Sequence, residues 1–387
     1  MTKIGKITNT ILTIGFLSII FTGLLQFHLA KKEELNMAEN RKLAERPVFD
    51  INNLDPLPSQ FDKYFTDHFP YRTQIVTVFN EINLNKFNIS PLPDKVMIGL
   101  DGYLFMSGTQ LETFQGKNLF SESELKSILE ELRYRKNFCD NLGAKFYFVI
   151  IPQKHTIYNE KIPPRFKLKN EKTLRTQLES FLDKNNFSYI DPTVFIMSKK
   201  TEDFPLYFKT DNHWNNLGAF YGSQYIISNI KQDFPQVQSL DLNNYDIEES
   251  SGIGGNLAQM LNMQSKFSEI QFLFKPSFTS NAKMGEKKPY PPTEGFGYPD
   301  EYEQVFVNPT ANNLKAVFIR ESYANSQRQF YKESFGKTLL IWDRWQYALN
   351  EKVLTSEHPD IVVIQILESN LTKLLSNQSK IKAEGKN

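Results

Sequence analysis

Four apolar runs constrain this chain more than anything else in it: AKFYFVIIP (144–152), LKAVFIR (314–320), KTLLIW (337–342) and DIVVIQIL (360–367). Short, nearly continuous apolar runs of this kind are the mark of strands buried on both faces. Helical spacings fall between them. Ser121-Glu-Ser-Glu opens one helix that runs to Asn141-Leu-Gly143, with Gly143 as the residue that ends it. A second covers about 170–184 and is followed by the short strand FSYIDP. A third runs over Asn215–Lys231, where Gly218, Ala219 and Gly222 offer close packing. Buried strands alternating with helices predict an α/β fold, a mostly parallel sheet with helices on both faces. Residues 240–312 break the pattern with Gly, Pro, Asn and Ser and read as an insertion of loops and short strands.

The N-terminus sets the compartment. Residues 7–27 (ITNTILTIGFLSIIFTGLLQF) carry no charge and are long enough to cross roughly 30 Å of hydrocarbon. Two lysines flank the run on each side, so charge does not decide its orientation. A six-residue tail left in the cytoplasm exports everything after residue 30. The run exceeds a usual signal core, and QFHLA offers no small-x-small cleavage site, so the expectation is an uncleaved transmembrane anchor. The expected organisation is an anchor over 1–30, a juxtamembrane spacer and aromatic-rich helical segment over 31–98, and a main domain over 99–387. The helix of the second segment is expected near Thr73–Asn85, and Asp101-Gly102 between IGL and YLF signals a hairpin.

Composition closes off several function classes. With 45 Lys+Arg against 44 Asp+Glu the net charge is +1, which argues against a nucleic-acid surface. Cys139 is the single cysteine, so no disulfide framework or cysteine-clustered metal site can form, and it fits the apolar face of a helix. There is no HExxH or comparable two-histidine spacing, and no cofactor or metal is expected.

Of the five histidines, His213 stands apart, in KTDNHWNNLGAF. In an extended segment residues i and i+2 point the same way. Asp211 could therefore accept from one imidazole nitrogen and leave the other as a base. The same residues also read as an Asn/Asp-rich helix cap with a structural histidine. Ser322 follows LKAVFIR directly, at the carboxyl edge of a strand, where esterase nucleophiles stand; its alternative is a helix N-cap. SGIGGNLAQML (251–261) could offer Gly255 and Asn256 to an oxyanion, or be a plain turn before a helix. It is not a dinucleotide fingerprint, since no strand is read before it. Trp214, Trp342 and Trp345 are candidate sugar-stacking rings, with core packing the commoner use of such residues.

Together these pieces resemble a known family. In order along the chain stand ENRKLAERPVFD (39–50), YFTDHFPYR (64–72), GLDGYLF (99–105), IPQKHTIYNEKIP (151–163), TDNHWNNLGA (210–219), GGNLAQML (254–261) and FIRESYANS (318–326). The sequence resembles the SGNH-hydrolase-like proteins of the alginate O-acetyltransferase group (AlgJ and AlgX) and the related DHHW proteins over roughly residues 39–375. The resemblance implies a three-layer α/β/α fold with a permuted triad order, the serine coming last. Carried over by motif, the triad is Asp211, His213 and Ser322. Glu321 stands where many relatives have Asp, and Asn256 where the glycine loop usually carries Asp.

The implied function is extracytoplasmic O-acetyl transfer onto hydroxyls of a cell-envelope or secreted polysaccharide, through an acetyl-serine on Ser322. The implied acetyl supplier is a multi-spanning membrane-bound O-acyltransferase. An acetyl esterase with the same triad and a non-catalytic polysaccharide-binding scaffold are the alternatives.

Overall fold

The computed structural model describes residues 3–29, 35–36, 41–167, 172–288, 290, 298–343 and 345–376. Parts of the expected spacer (31–34 and 37–40) and the first residues of the helix expected from about 170 lie outside the described residues. The chain divides into two compact units: Met1–Leu92 with Ala258–Lys266, and Pro93–Leu257 with Phe267–Asn387.

In the first unit, α1 (Lys3–Leu29) contains Ile7–Phe27, a 21-residue stretch long and apolar enough to be a membrane anchor or a signal sequence. Helices α2 (Leu57–Asp67) and α3 (Arg72–Ile82) follow, the second running into a π-helical turn at Asn83–Phe87. The helix expected over 73–85 is thus present, with its last turn widened.

The second unit opens on the hairpin β1 (Val96–Ile98) and β2 (Leu104–Met106). Asp101 (φ 53°) and Gly102 (φ 78°) are both left-handed at its turn, as a tight hairpin with the strands' own twist requires. The main domain read as starting at 99 would part these strands; the unit boundary at Leu92/Pro93 keeps them together.

The central sheet has six strands in the order β3-β10-β8-β9-β7-β6. These are β3 (Lys145–Ile151), β6 (Lys283–Met284), β7 (Glu303–Val307), β8 (Lys315–Ile319), β9 (Lys337–Ile341) and β10 (Ile361–Leu367). The four apolar runs supply the parallel part, β3-β10-β8-β9. β7 and β6 extend it antiparallel, making the sheet mixed. Alternate residues feed two cores. Tyr147, Val149, Phe318 and Val363 pack with α6 (Asn216–Asp233) and α7 (Ala324–Ser334). Phe146, Phe148, Val317 and Val362 pack with α4 (Glu122–Asn141), α5 (Leu174–Lys184) and α8 (Glu351–Glu357). Helix α4 starts on a complete Ser121–Glu124 capping box, and Cys139 lies on its buried face with its thiol pushed up to about 12 by desolvation.

The segment 240–312 departs from the expected insertion. It holds a hairpin of two nine-residue strands, β4 (Tyr245–Ile253) and β5 (Ser268–Pro276), and β7 at its end belongs to the main sheet. A strand therefore does precede the glycine loop. It is an antiparallel hairpin arm outside the main sheet, not the parallel strand of a nucleotide-binding crossover.

Candidate active site

Strands β3, β8, β9 and β10 are parallel, so the residues after them share one edge of the sheet. Ser322 follows β8 by three positions. Its hydroxyl is no helix cap, because α7 starts at Ala324 and no side chain caps that end. The turn is held by Glu321, whose Oε2 accepts from the Tyr323 N–H at 2.8 Å.

Asp211 and His213 come to the same place from the loop before α6. The capping side chain of that helix is Asn215, which accepts from the Gly218 N–H, so the other two polar side chains are left for each other. Asp211 Oδ1 lies 2.7 Å from His213 Nδ1, and His213 Nε2 lies 2.8 Å from Ser322 Oγ. Trp214 is wholly buried beneath them, its Nε1 donating to the Tyr323 carbonyl at 2.9 Å. Gly222 permits this, since a methyl there would stand 2.9 Å from the indole ring.

Burial opposes charge on both partners, and their pairing outweighs it. Against that burial, the charge of His213, its hydrogen bonds and the Asn256 N–H draw the Asp211 carboxyl down to about 2. Burial lowers the basicity of His213, yet the Asp211 carboxylate, with Glu321 adding, leaves it net above its ordinary 6.5. Glu321 is pushed up to about 7 by burial, which the Tyr323 N–H, His213 and Arg320 only partly offset.

The glycine loop supports the Asp211 segment through its backbone. The Gly255 N–H donates to Thr210 Oγ1 at 2.9 Å and the Asn256 N–H to Asp211 Oδ2 at 2.8 Å. The Asn256 side chain bonds Asn212 as well: Oδ1 accepts from the Asn212 N–H and one Nδ2–H donates to Asn212 Oδ1. Both backbone N–H groups are thus taken, and the donor that remains for an oxyanion is the second N–H of Asn256 Nδ2. Both sit where they do because Gly255 presses on Asp211; a methyl on it would lie 2.8 Å from Oδ2.

The tryptophans separate. Trp214 cannot offer a face to a sugar, because it is fully enclosed. Trp342, just after β9, is also buried, stacked on Tyr298 at 5.7 Å with the Arg320 guanidinium over its ring at 4.9 Å. Trp345 alone is exposed, edge-on to Trp342.

Two buried ionic groups were not singled out by the sequence. Lys154, just past β3, donates to the carbonyls of Leu104 (2.6 Å), Lys209 (2.7 Å) and Asp211 (3.0 Å). Desolvation brings its ammonium down to about 7 despite Glu269 and Asp211. Glu269 on β5 accepts from the Lys209 N–H at 3.0 Å and from the Thr210 N–H and hydroxyl. The only signal for Lys154 is a charge placed directly after an apolar strand; for Glu269 there is none. The remaining described histidine rings serve elsewhere, His155 being buried against the Met106 carbonyl and held neutral, its pKa down to about 3 through burial and Lys154.

Residues 96–287, which hold Asp211 and His213 but not Ser322, match the family described as "SGNH hydrolase-like domain, acetyltransferase AlgX". The fold of the chain is SGNH-like, with a mixed sheet. Solved structures share the fold of this chain. Bacillus cereus PatB1, determined with a sulfonyl adduct, aligns with a TM-score of 0.53 at 17% identity, covering 72% of this chain and 96% of that one. A DHHW family protein from Eubacterium siraeum aligns with a TM-score of 0.50 at 15% identity, covering 73% of this chain and 98% of that one. No curated protein matches the chain in sequence.

Proposed function

We propose that the chain is a membrane-anchored, extracytoplasmic O-acetyltransferase that modifies a polysaccharide through an acetyl-serine, with Ser322 as nucleophile, His213 as base and Asp211 as its orienting partner. The AlgX-type domain match supports an acetyltransferase of this kind. The observation that carries the reading is the unbroken relay from Asp211 Oδ1 through both imidazole nitrogens to Ser322 Oγ, at 2.7 and 2.8 Å.

In the proposed reaction Ser322 Oγ attacks the acetyl carbonyl while His213 Nε2 takes the hydroxyl proton. That proton passes to the donor's leaving group as its bond to the acetyl carbon breaks. A saccharide hydroxyl then attacks the acetyl-serine, again losing its proton to His213, which returns it to Ser322 Oγ. The N–H of Ser322 itself is the proposed oxyanion donor, since no acceptor among the described residues takes it. Trp345 is the proposed sugar contact. Acetyl-CoA is a cytoplasmic metabolite, so an exported domain needs acetyl groups delivered across the bilayer; a multi-spanning acyltransferase is the proposed supplier. A serine that comes after its Asp and His in the chain is part of the same proposal.

Intact mass of the protein after p-nitrophenyl acetate tests it. The expected result is one added acetyl group mapped to Ser322, absent from Ser322→Ala and His213→Ala. A folded protein with no adduct overturns the acyl-enzyme. Acetate as the sole product in the presence of oligosaccharides would make the chain an esterase.

A further inference from the structure

Helix α3 is amphipathic the wrong way round for a water-facing surface. Ile75, Val78, Phe79 and Ile82 follow one another at i, i+3, i+4 and i+7 and are 55, 55, 60 and 48% exposed. The opposite face carries Thr77, Asn80 and Glu81, and it is the side held by protein. Thr77 Oγ1 donates to the Asn262 carbonyl at 3.0 Å and Asn80 Nδ2 to the Leu261 carbonyl at 2.6 Å; Glu81 pairs with Lys266 at 2.6 Å. A surface helix ordinarily buries its apolar stripe and turns polar residues to water. Here the stripe is outermost, so the medium it meets is apolar.

The neighbouring helix says which medium. Phe27, the last residue of the 21-residue apolar stretch, packs on Tyr64 and Phe65 of α2, with ring centroids 5.8 and 5.1 Å away. From Phe65 the aromatic row continues to Phe61 at 6.2 Å and Phe69 at 5.5 Å, both exposed. Helices that lie in the membrane surface bury exposed Phe and aliphatic side chains of this kind at the boundary between headgroups and acyl chains. We infer that α2 and α3 lie along the lipid–water interface, with Phe61, Phe69, Ile75, Val78, Phe79 and Ile82 immersed in the bilayer that α1 crosses. This rests on the reading of α1 as a retained anchor.

The test uses the full-length chain, one copy per nanodisc of phosphatidylethanolamine and phosphatidylglycerol. Cys139 is buried, so nitroxide labels report on cysteines introduced singly by Val78→Cys and Phe79→Cys. Ile14→Cys in α1 and the exposed Glu122→Cys serve as hydrocarbon and water references. Labels at 78 and 79 should collide with oxygen as the label at 14 does and be shielded several-fold from a water-soluble nickel chelate relative to 122. Nickel access equal to that at 122 overturns the proposal, and so does shielding from both reagents, which means a protein surface covers the face. Intact mass of the protein recovered from membranes separates the two readings. A chain shortened by α1 defeats the anchor and this inference with it; an intact chain with water-exposed labels defeats this inference alone.

Discussion

At the scale of single residues the site is two carboxylates around one imidazole. The proposed reaction at Ser322 needs His213 neutral, so the acetylation rate should rise with pH through the His213 pKa, which sits above 6.5. Asp211→Asn removes the stronger of the two influences that raise it and Glu321→Gln the weaker. Both should move the acidic limb of the pH–rate profile to lower pH, Asp211→Asn further and with the greater loss of rate. Stopped-flow p-nitrophenol release across pH 5–9 reads this; an unmoved limb in both variants would remove His213 from the role. Gly255→Ala drives a methyl against Asp211 and should lower the rate on the order of 100-fold, with the melting temperature read alongside to separate misplacement from unfolding. The Asp-x-His spacing was legible because a side chain two positions on points the same way. What Asn256 and Gly255 do was not, since a glycine loop reads the same whether its N–H groups face a ligand or a carboxylate.

Elements explain why the relay is held. The backbone at 209–211 is gripped from two sides, carbonyls by the Lys154 ammonium after β3 and N–H groups by the Glu269 carboxylate on β5. Replacing Lys154 with Met leaves three buried carbonyls without their donor, for which we expect a stability loss of about 1–3 kcal/mol. The acetylation rate should fall while affinity for the acyl donor stays, because Lys154 positions Asp211 and touches no substrate. Urea melts and a separation of kcat from KM check both. Strands β3, β8, β9 and β10 could be read from sequence because burial on both faces leaves an unbroken apolar run. β7 (EQVFV) and the β4–β5 hairpin could not: β7 opens on the polar pair Glu303 and Gln304 although both are buried, and solvent-facing strands keep polar residues, as in YDIEESSGI. Partners such as Lys154 and Glu269 meet through the loop they share, and no local pattern encodes that meeting.

For the whole molecule, the chain's division into units cuts across its order. Ala258–Lys266 belongs with Met1–Leu92, through contacts such as Asn80 to Leu261. Asn80→Ala should cost about 1 kcal/mol locally and speed amide exchange over 258–266 roughly fivefold, leaving β3, β8 and β10 unchanged; hydrogen exchange read by mass spectrometry decides it. A sequence reading in consecutive blocks misses such an arrangement by construction. The same non-sequential habit governs the sheet, where β3, the first strand to be made, bonds to β10, the last. Just beyond them, the Gln153 N–H donates to Glu368, 215 residues later, and Ser322 meets His213 across 109 residues. A chain emerging N-terminus first therefore carries an incomplete sheet until Leu367 is made, and the His213 imidazole without its hydroxyl partner until Ser322 is made. If it is threaded outward through a membrane, the sheet can close only after β10 has crossed, so the fold is completed on the far side.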